Sequence, residues 1–185
     1  VDKPLFVFIG RLVYEKGSDL FPEAFKQVLN HQEVSILLLG SGDPETEQEL
    51  LDLKDKFKGK YNAYIGYNEE LSHVIYAGAD FLLMPSRVEP CGLNQMYSLR
   101  YGTIPVVRSI GGLKDTIVDV EDGGFGFTHS DTTVEQMVSS IKRAATFFKD
   151  QKKFKKIRRQ IMSIDHSWNR SASVYIQLYN SITNR

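Results

Sequence analysis

Residues 81–107 read FLLMPSRVEPCGLNQMYSLRYGTIPVV, an apolar run, a polar loop, a short helix and a second apolar run. The first run, Phe81–Met84, is ended by Pro85, and such a short unbroken apolar segment is typical of a strand buried on both faces of a parallel sheet. Ser86–Cys91 is predicted to form a loop. In an open α/β fold this loop lies outside the carboxyl ends of the strands, where ligands bind, so Glu89 becomes a candidate site residue.

The helix after this loop is predicted to open near Gly92. Leu93, Met96 and Tyr97 follow the i, i+3, i+4 spacing of a single helix face, so we expect them to pack on the sheet. The segment TIPVV, residues 103–107, is predicted to begin the next strand.

Three further apolar segments predict strands, and each is followed by a segment with helical periodicity. Leu5–Ile9 contains no polar residue and is predicted to be a central strand, and Ile36–Leu39 and Tyr61–Ile65 are predicted to be strands as well. Strands that alternate with helices along the whole chain indicate an α/β protein with a doubly wound, Rossmann-like parallel sheet. The predicted helices include one capped by Ser18, one over residues 69–78 with Leu71, Val74 and Ile75 inward, and a long amphipathic one from Val134 to Phe148.

Two cations lie in GRLVYEKG, residues 10–17, directly after the first predicted strand. Gly10 and Gly17 permit a tight turn with exposed backbone, and Arg11 and Lys16 would lie beside it. A guanidinium offers a planar fork of donors and an ammonium a mobile charge, and both suit phosphate oxygens. The residues alone leave two interpretations open, a diphosphate clamp and a pair of solvated surface charges.

The segment Gly40-Ser41-Gly42 is similar to the start of the dinucleotide fingerprint G-x-G-x-x-G. Glu45 occupies the place of the third glycine, and the predicted helix beyond it is acidic. We therefore reject a dinucleotide site and expect a solvated helix face with favourable charges in its first turn.

Two further pairs of residues could have either a ligand-binding or a structural role. Tyr67 follows Gly66 at the end of a predicted strand, where an aromatic ring can stack on a nucleobase or pack against a neighbouring loop. Gly111 and Gly112 can let a backbone approach a ligand closely, or can turn the chain for purely structural reasons.

Composition excludes several classes of function. Lys plus Arg and Asp plus Glu both number 23, so there is no net field to attract a polyanion, and nucleic acid is not implied. The basic segment 149–159 is predicted to be a solvated helix face rather than a polyanion site. No apolar run approaches the roughly 18 residues that span a bilayer, so no membrane partner is expected. The single cysteine, Cys91, excludes an internal disulfide and fits a reducing compartment.

The stretch SRVEPCGLNQMYSLRYGTIPVVRSIGGLKDT, residues 86–116, resembles the glycogen and starch synthases. Matching motifs recur at Gly10–Gly17, Gly40–Pro44 and Gly66-Tyr67, so the resemblance covers nearly all of the chain. These enzymes are glycosyltransferases of the GT-B type, which lengthen an α-1,4-glucan from a nucleotide-activated glucose. The resemblance implies that this chain is the C-terminal half of a GT-B fold, the half that binds the nucleotide sugar.

The resemblance also implies roles for particular residues. Arg11 and Lys16 would hold the diphosphate, and Glu89 would contact the sugar and offset charge at its anomeric carbon. Asn94 departs from the threonine that is common at this position of the synthases. No metal or cofactor is expected, and the implied substrate is ADP-glucose or UDP-glucose. The residues expected to bind this substrate are Gly66, Tyr67, Cys91, Gly92, Leu93 and Asn94.

Further expectations concern the whole protein. Residues 1–185 are predicted to form one domain, cut at a domain boundary and without a signal peptide, and residues 165–185 a closing helix that crosses back to a missing N-terminal domain. That missing domain would bring the glucan acceptor. The resemblance implies a cytoplasmic location, or a plastid one in a plant. Two other interpretations remain, a nucleotide-sugar-binding module without catalysis and a GT-B transferase with a different sugar.

Overall fold

A computed structural model describes residues 3–183, and Val1, Asp2, Asn184 and Arg185 lie outside the described part of the chain. The predicted domain 1–185 and the predicted closing segment 165–185 therefore each include terminal residues whose structure is not described. Strands and helices alternate over residues 5–148, as predicted, and two further helices follow.

One sheet of six strands, all pairing in parallel, forms the centre of the fold. The strands are β1 (Leu5–Leu12), β2 (Ser35–Gly42), β3 (Tyr61–Ile65), β4 (Phe81–Met84), β5 (Ile104–Arg108) and β6 (Phe127–His129). The helices are α1 (Phe21–His31), α2 (Pro44–Lys56), α3 (Glu69–Gly78), α4 (Asn94–Tyr101), α5 (Gly111–Thr116), α6 (Val134–Phe148), α7 (Gln151–Met162) and α8 (Trp168–Thr183).

The strand order is β3-β2-β1-β4-β5-β6, which confirms the predicted doubly wound, Rossmann-like sheet. Helix α1 packs with α2 and α6, and α4 packs with α3 and α7, so helices form two separate layers. The strands β1 to β3 are added towards one edge of the sheet and β4 to β6 towards the other, so the order of addition reverses between β1 and β4. At this switch point the two loops that leave the strands diverge and open a crevice.

Aromatic side chains join the central strands to the helices. Phe6 of β1 stacks on Phe81 of β4 with the ring centroids 4.7 Å apart, and both side chains are fully buried. Phe81 also contacts Phe154 of α7 at 5.7 Å, which attaches the basic helix to the core. Phe154 and Ile161 of α7 are buried while most of its cations are exposed, so the predicted solvated face of residues 149–159 is confirmed.

Strand β1 is longer than the sequence indicated, and the predicted turn over residues 10–17 is wrong in its first part. Arg11 pairs with Ser41 inside the sheet, because Gly40 and Gly42 leave room for the carbonyl groups of the adjacent strand. The turn itself begins after Leu12.

The predicted helix cap at Ser18 is also wrong. The hydroxyl of Ser18 donates to the carbonyl of Val13 at 3.1 Å, within the turn, and α1 begins three residues later at Phe21 without a side-chain cap.

The predicted buried face of the helix after Gly92 is wrong too. Leu93 and Tyr97 are half exposed, whereas Gln95, Ser98 and Leu99 are buried. Gln95 and Ser98 are buried because both bond to backbone carbonyl groups of this segment, so α4 packs through a largely polar face. In α3, Val74 is exposed rather than inward, and Ile75 and Tyr76 are buried there instead.

Helix α8 carries an exposed apolar stripe. None of its described residues is buried, and the large apolar side chains along it are more than half exposed to solvent. They include Trp168, Val174, Tyr175, Leu178, Tyr179 and Ile182.

Candidate functional site

A cleft of about 250 Å³ opens where β1 and β4 end, at the switch point of the sheet. It is lined by two strand ends, the loop after β4 and the start of α4. Five of the predicted site residues meet in it, namely Arg11, Lys16, Glu89, Leu93 and Asn94. Residues from two distant parts of the sequence, 8–16 and 84–94, are thus brought together.

An ion pair between Lys16 and Glu89 crosses the cleft. Lys16 Nζ lies 2.5 Å from Glu89 Oε2, and the hydroxyl of Ser86 donates to the same oxygen at 3.1 Å. Only 8% of the Glu89 side chain is exposed, against 26% of the Lys16 side chain. A buried carboxylate needs such partners, because burial without them is costly. Glu89 Oε1 has no hydrogen bond to another of the described residues 3–183.

Arg11 brings a second cation to the cleft. It lies near the carboxyl end of β1 in an exposed position and makes no ion pair within residues 3–183. Its donors are therefore available to an anion beside Lys16. A guanidinium next to an ammonium, both at the edge of a partly enclosed cleft, is an arrangement suited to phosphate oxygens.

The loop that carries Glu89 is held close to α5. The backbone N–H of Gly112 donates to the carbonyl of Glu89 at 3.0 Å. A Cβ on Gly111 would overlap that same carbonyl oxygen, and a Cβ on Gly112 would overlap the carbonyl oxygen of Cys91. These two glycines therefore allow α5 to pack closely against the backbone of Glu89 and Cys91.

Asn94 connects the start of α4 to β1. Its side-chain amide donates to the carbonyl of Ile9 at 2.7 Å, across the floor of the cleft. The amino end of α4 therefore faces the end of β1, where its unpaired N–H groups and dipole favour a negative ligand. Leu93 lies beside it, half exposed at the cleft rather than packed on the sheet.

Four predicted substrate-binding residues do not line this cleft. Gly66 and Tyr67 follow β3, which lies two strands away from β1 in the sheet. Tyr67 is 84% exposed, and its hydroxyl donates to Glu69 at 3.2 Å, which raises the pKa of the phenol. Cys91 and Gly92 belong to the loop before α4, with Cys91 exposed.

Two residues that shape the loop carried no signal in the sequence. Gln95 is fully buried, and its amide donates to the carbonyl groups of Cys91 and Gly92 at 3.1 and 3.0 Å. Arg108, at the end of β5, donates to the carbonyl of Arg87 at 3.1 Å. Both are polar residues whose partners lie in irregular backbone, which no periodicity predicts.

A larger depression of about 680 Å³ lies elsewhere, between α6 and the edge strand β6. Three cations line it, and two of them are paired with carboxylates: Arg143 with Asp119 at 2.6 Å and Glu121 at 3.1 Å, and Lys153 with Asp150 at 3.3 Å. Because this depression lies away from the switch point of the sheet, the cleft between β1 and β4 is the better candidate for an anionic ligand.

Residues 3–183 contain neither a cluster of metal-ligand side chains nor a membrane-spanning helix. No group of three or more His, Cys, Asp or Glu side chains is placed to hold a metal ion. No described helix is long and apolar enough to cross a membrane.

The fold and the cleft define the class of protein. A parallel sheet in this order, with a cationic cleft at its switch point, is the architecture of the C-terminal half of a GT-B glycosyltransferase. A family model described as "Glycosyl transferases group 1" matches residues 1–161, and the chain belongs to this family.

Individual proteins similar to this chain include glycogen and starch synthases. The glycogen synthase of Flavobacterium johnsoniae is 53% identical over 182 residues, or 97% of this chain and 38% of that protein. The glycogen synthase of Thermosipho africanus is 43% identical over 190 residues, or 100% of this chain and 39% of that protein. The catalytic domain of starch synthase IV from Arabidopsis thaliana, solved with ADP and acarbose, has a TM-score of 0.87 and 36% identity over 99% of this chain and 39% of its own.

These matches confirm the resemblance to glycogen and starch synthases. The chain spans about two fifths of the length of these relatives.

Proposed function

We propose that this chain is the nucleotide-sugar-binding domain of a glycogen or starch synthase. With an N-terminal domain it would transfer glucose from ADP-glucose or UDP-glucose, with retention, to an α-1,4-glucan. The observation that carries this proposal is the contact between Lys16 and Glu89 beside Arg11, in a cleft at the switch point of the sheet. The similarity to a starch synthase solved with ADP supports a nucleotide ligand.

Arg11 and Lys16 have the chemistry that the leaving group requires. Breaking the bond between glucose and the diphosphate places negative charge on the departing phosphate oxygen. Charged donors fixed beside that oxygen stabilise the transition state more than the ground state, because the charge grows as the bond breaks. The amino end of α4 adds a smaller favourable potential, of about 0.3–2 kcal/mol for a nearby anion.

Glu89 is assigned to the sugar side of the same cleft. A carboxylate beside the diphosphate would repel it, whereas one beside the anomeric carbon offsets the positive charge that develops there. Ser86 and Lys16 both bond to Oε2, which leaves Oε1 for a sugar hydroxyl. The carboxylate is thus oriented before the substrate arrives.

The second domain would complete the site. Glucosyl transfer requires the acceptor hydroxyl to be held against the reacting carbon and water to be kept out. In the chain described here the cleft opens to solvent, and the apolar stripe of α8 is exposed. We propose that residues 165–185 cross to the N-terminal domain, which covers this stripe.

Calorimetry and an elongation assay test the proposal together. The 185-residue chain should bind ADP or UDP weakly and extend no glucan primer, because it fixes no acceptor. The two-domain protein should extend the primer with one of the two glucose nucleotides. Failure of both nucleotides to bind would contradict the proposal. Elongation by the single domain at the rate of the two-domain protein would refute the role given to the second domain.

A further inference from the structure

Arg87 forms a second bridge between the two strand-end loops, outside the cleft. Its guanidinium binds both carboxylate oxygens of Asp19, at 2.5 and 2.8 Å, and donates to the carbonyl of Tyr14 at 2.8 Å. The guanidinium carbon also lies 3.8 Å from the centre of the Tyr14 ring. Asp19 holds the pKa of Arg87 above its usual range.

These contacts bracket Lys16 in the sequence. Tyr14 lies two residues before Lys16 and Asp19 lies three residues after it, so one guanidinium grips both ends of the turn that carries this cation. Glu89 lies two residues after Arg87. Arg87 therefore connects the backbone around one member of the ion pair to the backbone around the other.

Backbone contacts reinforce the bridge. The N–H groups of Arg87 and Val88 both donate to the carbonyl of Glu15, at 2.8 and 3.2 Å. Gly17 has a φ of 70°, and a Cβ there would overlap the carbonyl oxygen of Pro85, so the turn lies directly on the chain leaving β4. The two loops form one continuous unit.

The bridge matters most when a ligand is bound. The direct pair between Lys16 and Glu89 lies in the cleft, so a diphosphate that recruits Lys16 weakens it. Arg87, Asp19 and Tyr14 do not line the cleft, so a ligand that fills it need not displace their contacts. Together with the backbone contacts to Glu15, this external bridge can hold the two loops at a fixed separation throughout the reaction.

We propose that Arg87 is a positioning residue for glucosyl transfer, and this inference rests on the proposed function. It sets the separation of Lys16 and Glu89, and so places the diphosphate-binding cation relative to the sugar-binding carboxylate. Asp19 is its partner in this role. Lysine cannot replace it, because the planar fork binds two oxygens and stacks on an aromatic ring at the same time.

The test is a double-mutant cycle in the two-domain enzyme, with kcat and KM measured for the glucose nucleotide that it uses. Arg87→Ala should lower kcat by roughly 10- to 100-fold, as expected when reacting groups are misplaced by about an ångström, and should raise KM by a smaller factor. In a Glu89→Gln background the same change should cost less than about 3-fold, because the group that Arg87 positions is already disabled. Arg87→Lys should behave like Arg87→Ala.

Arg143→Ala is the matched control. It breaks a pair between arginine and aspartate, Asp119, beside the edge strand and away from the cleft. Asp119 is buried whereas Asp19 is exposed, so the melting temperature of Arg143→Ala should fall at least as much as that of Arg87→Ala, while kcat stays near the wild-type value. If Arg87→Ala does not fold, Arg87→Lys replaces it in the cycle.

The outcomes separate this inference from the function on which it rests. An active wild type in which Arg87→Ala costs no more kcat than Arg143→Ala would overturn the positioning role. If the kcat losses of the Arg87 and Glu89 substitutions multiply fully in the double variant, that result would overturn it as well. A two-domain wild type that transfers glucose from neither nucleotide would refute the proposed function itself, and this inference with it.

Discussion

Lys16 Nζ and Glu89 Oε2 lie 2.5 Å apart, although 73 positions separate the two residues in the chain. Lys16 is in the turn after β1, and Glu89 is in the loop after β4. The pair neutralises a nearly buried carboxylate. It also joins the two side chains to which we assign opposite ends of the same substrate, so a ligand must share or displace the contact.

Removing Lys16 should destabilise the folded chain through Glu89. In Lys16→Ala the buried carboxylate keeps only Ser86 as a partner, and we expect the free energy of unfolding to fall by about 1–3 kcal/mol. Adding Glu89→Gln should restore part of this loss, because a neutral amide needs no counter-charge. Urea unfolding of the 185-residue chain measures both. Lys155→Ala, at an exposed position of α7, is the control and should change little. A double variant less stable than Lys16→Ala would contradict the explanation.

Arg11 and Lys16 should each contribute to transition-state stabilisation. Replacing either by alanine in the two-domain enzyme should cost about 2–4 kcal/mol, because each removes a charged donor from the leaving diphosphate. Steady-state kinetics give the value, and calorimetry with ADP shows how much of it is ground-state binding. Unchanged turnover together with unchanged ADP affinity would remove that residue from the site.

Glu89→Gln should separate catalysis from nucleotide binding. The amide keeps the shape of the side chain but loses the negative charge that faces the anomeric carbon, so turnover should fall strongly. ADP affinity should remain close to that of the wild type, because ADP lacks the sugar. Glu135→Gln, at an exposed position of α6, controls for the change in net charge. A large loss of ADP binding in Glu89→Gln would place this residue beside the phosphate instead.

Asn94→Leu should loosen the start of α4. The substitution removes the donor to the carbonyl of Ile9, and we expect a loss of about 1 kcal/mol in stability and weaker ADP binding. Asn30→Leu, at an exposed position of α1, is the matched control. Equal ADP affinity in the two variants would show that the contact between Asn94 and β1 does not shape the cleft.

Acid should destabilise the chain through His129. Burial, together with the nearby charge of Arg108, lowers the pKa of His129 to about 4, while Asp131 acts in the opposite direction. Between this value and the ordinary pKa of about 6.5, the unfolded state binds a proton that the folded state does not. Stability from this source is therefore complete above about pH 6.5 and falls towards pH 4, by at most about 3 kcal/mol.

His129→Gln should flatten the fall in stability between these two pH values. The exposed His166→Gln is the control and should leave the wild-type slope unchanged. Urea unfolding at a series of pH values measures the slope. The same slope in His129→Gln and in the wild type would show that other groups cause the acid sensitivity.

The architecture could be predicted from local patterns. Apolar runs such as Phe81–Met84, alternating with amphipathic segments such as Val134–Phe148, require strands and helices whatever surrounds them. The strand β4 and the bounds of α3 and α6 agree with those predicted. Arg11, Lys16 and Glu89 were candidates because they follow predicted strands, at the edge where α/β folds bind ligands, but only the family resemblance gave them roles.

Periodicity failed where polar groups are buried for their hydrogen bonds. The helix after Gly92 was predicted to pack through Leu93 and Tyr97, but it packs through Gln95 and Ser98, which bond to backbone carbonyl groups. A hydrophobic stripe predicts which apolar side chains are removed from water. It does not predict which polar side chains are buried because they donate hydrogen bonds to carbonyl groups of irregular backbone.

The sequence by itself determined the alternation of elements, the family and the identity of the cations and the carboxylate. Only the tertiary structure decided that Lys16 reaches Glu89, that Arg87 bridges Asp19 and Tyr14, and that Arg11 stands inside a strand. The reason is that composition and spacing act over a few residues, whereas these contacts join segments about 70 positions apart in the sequence. The pairing of β1 with β4 places their carboxyl ends side by side, and this proximity creates the site.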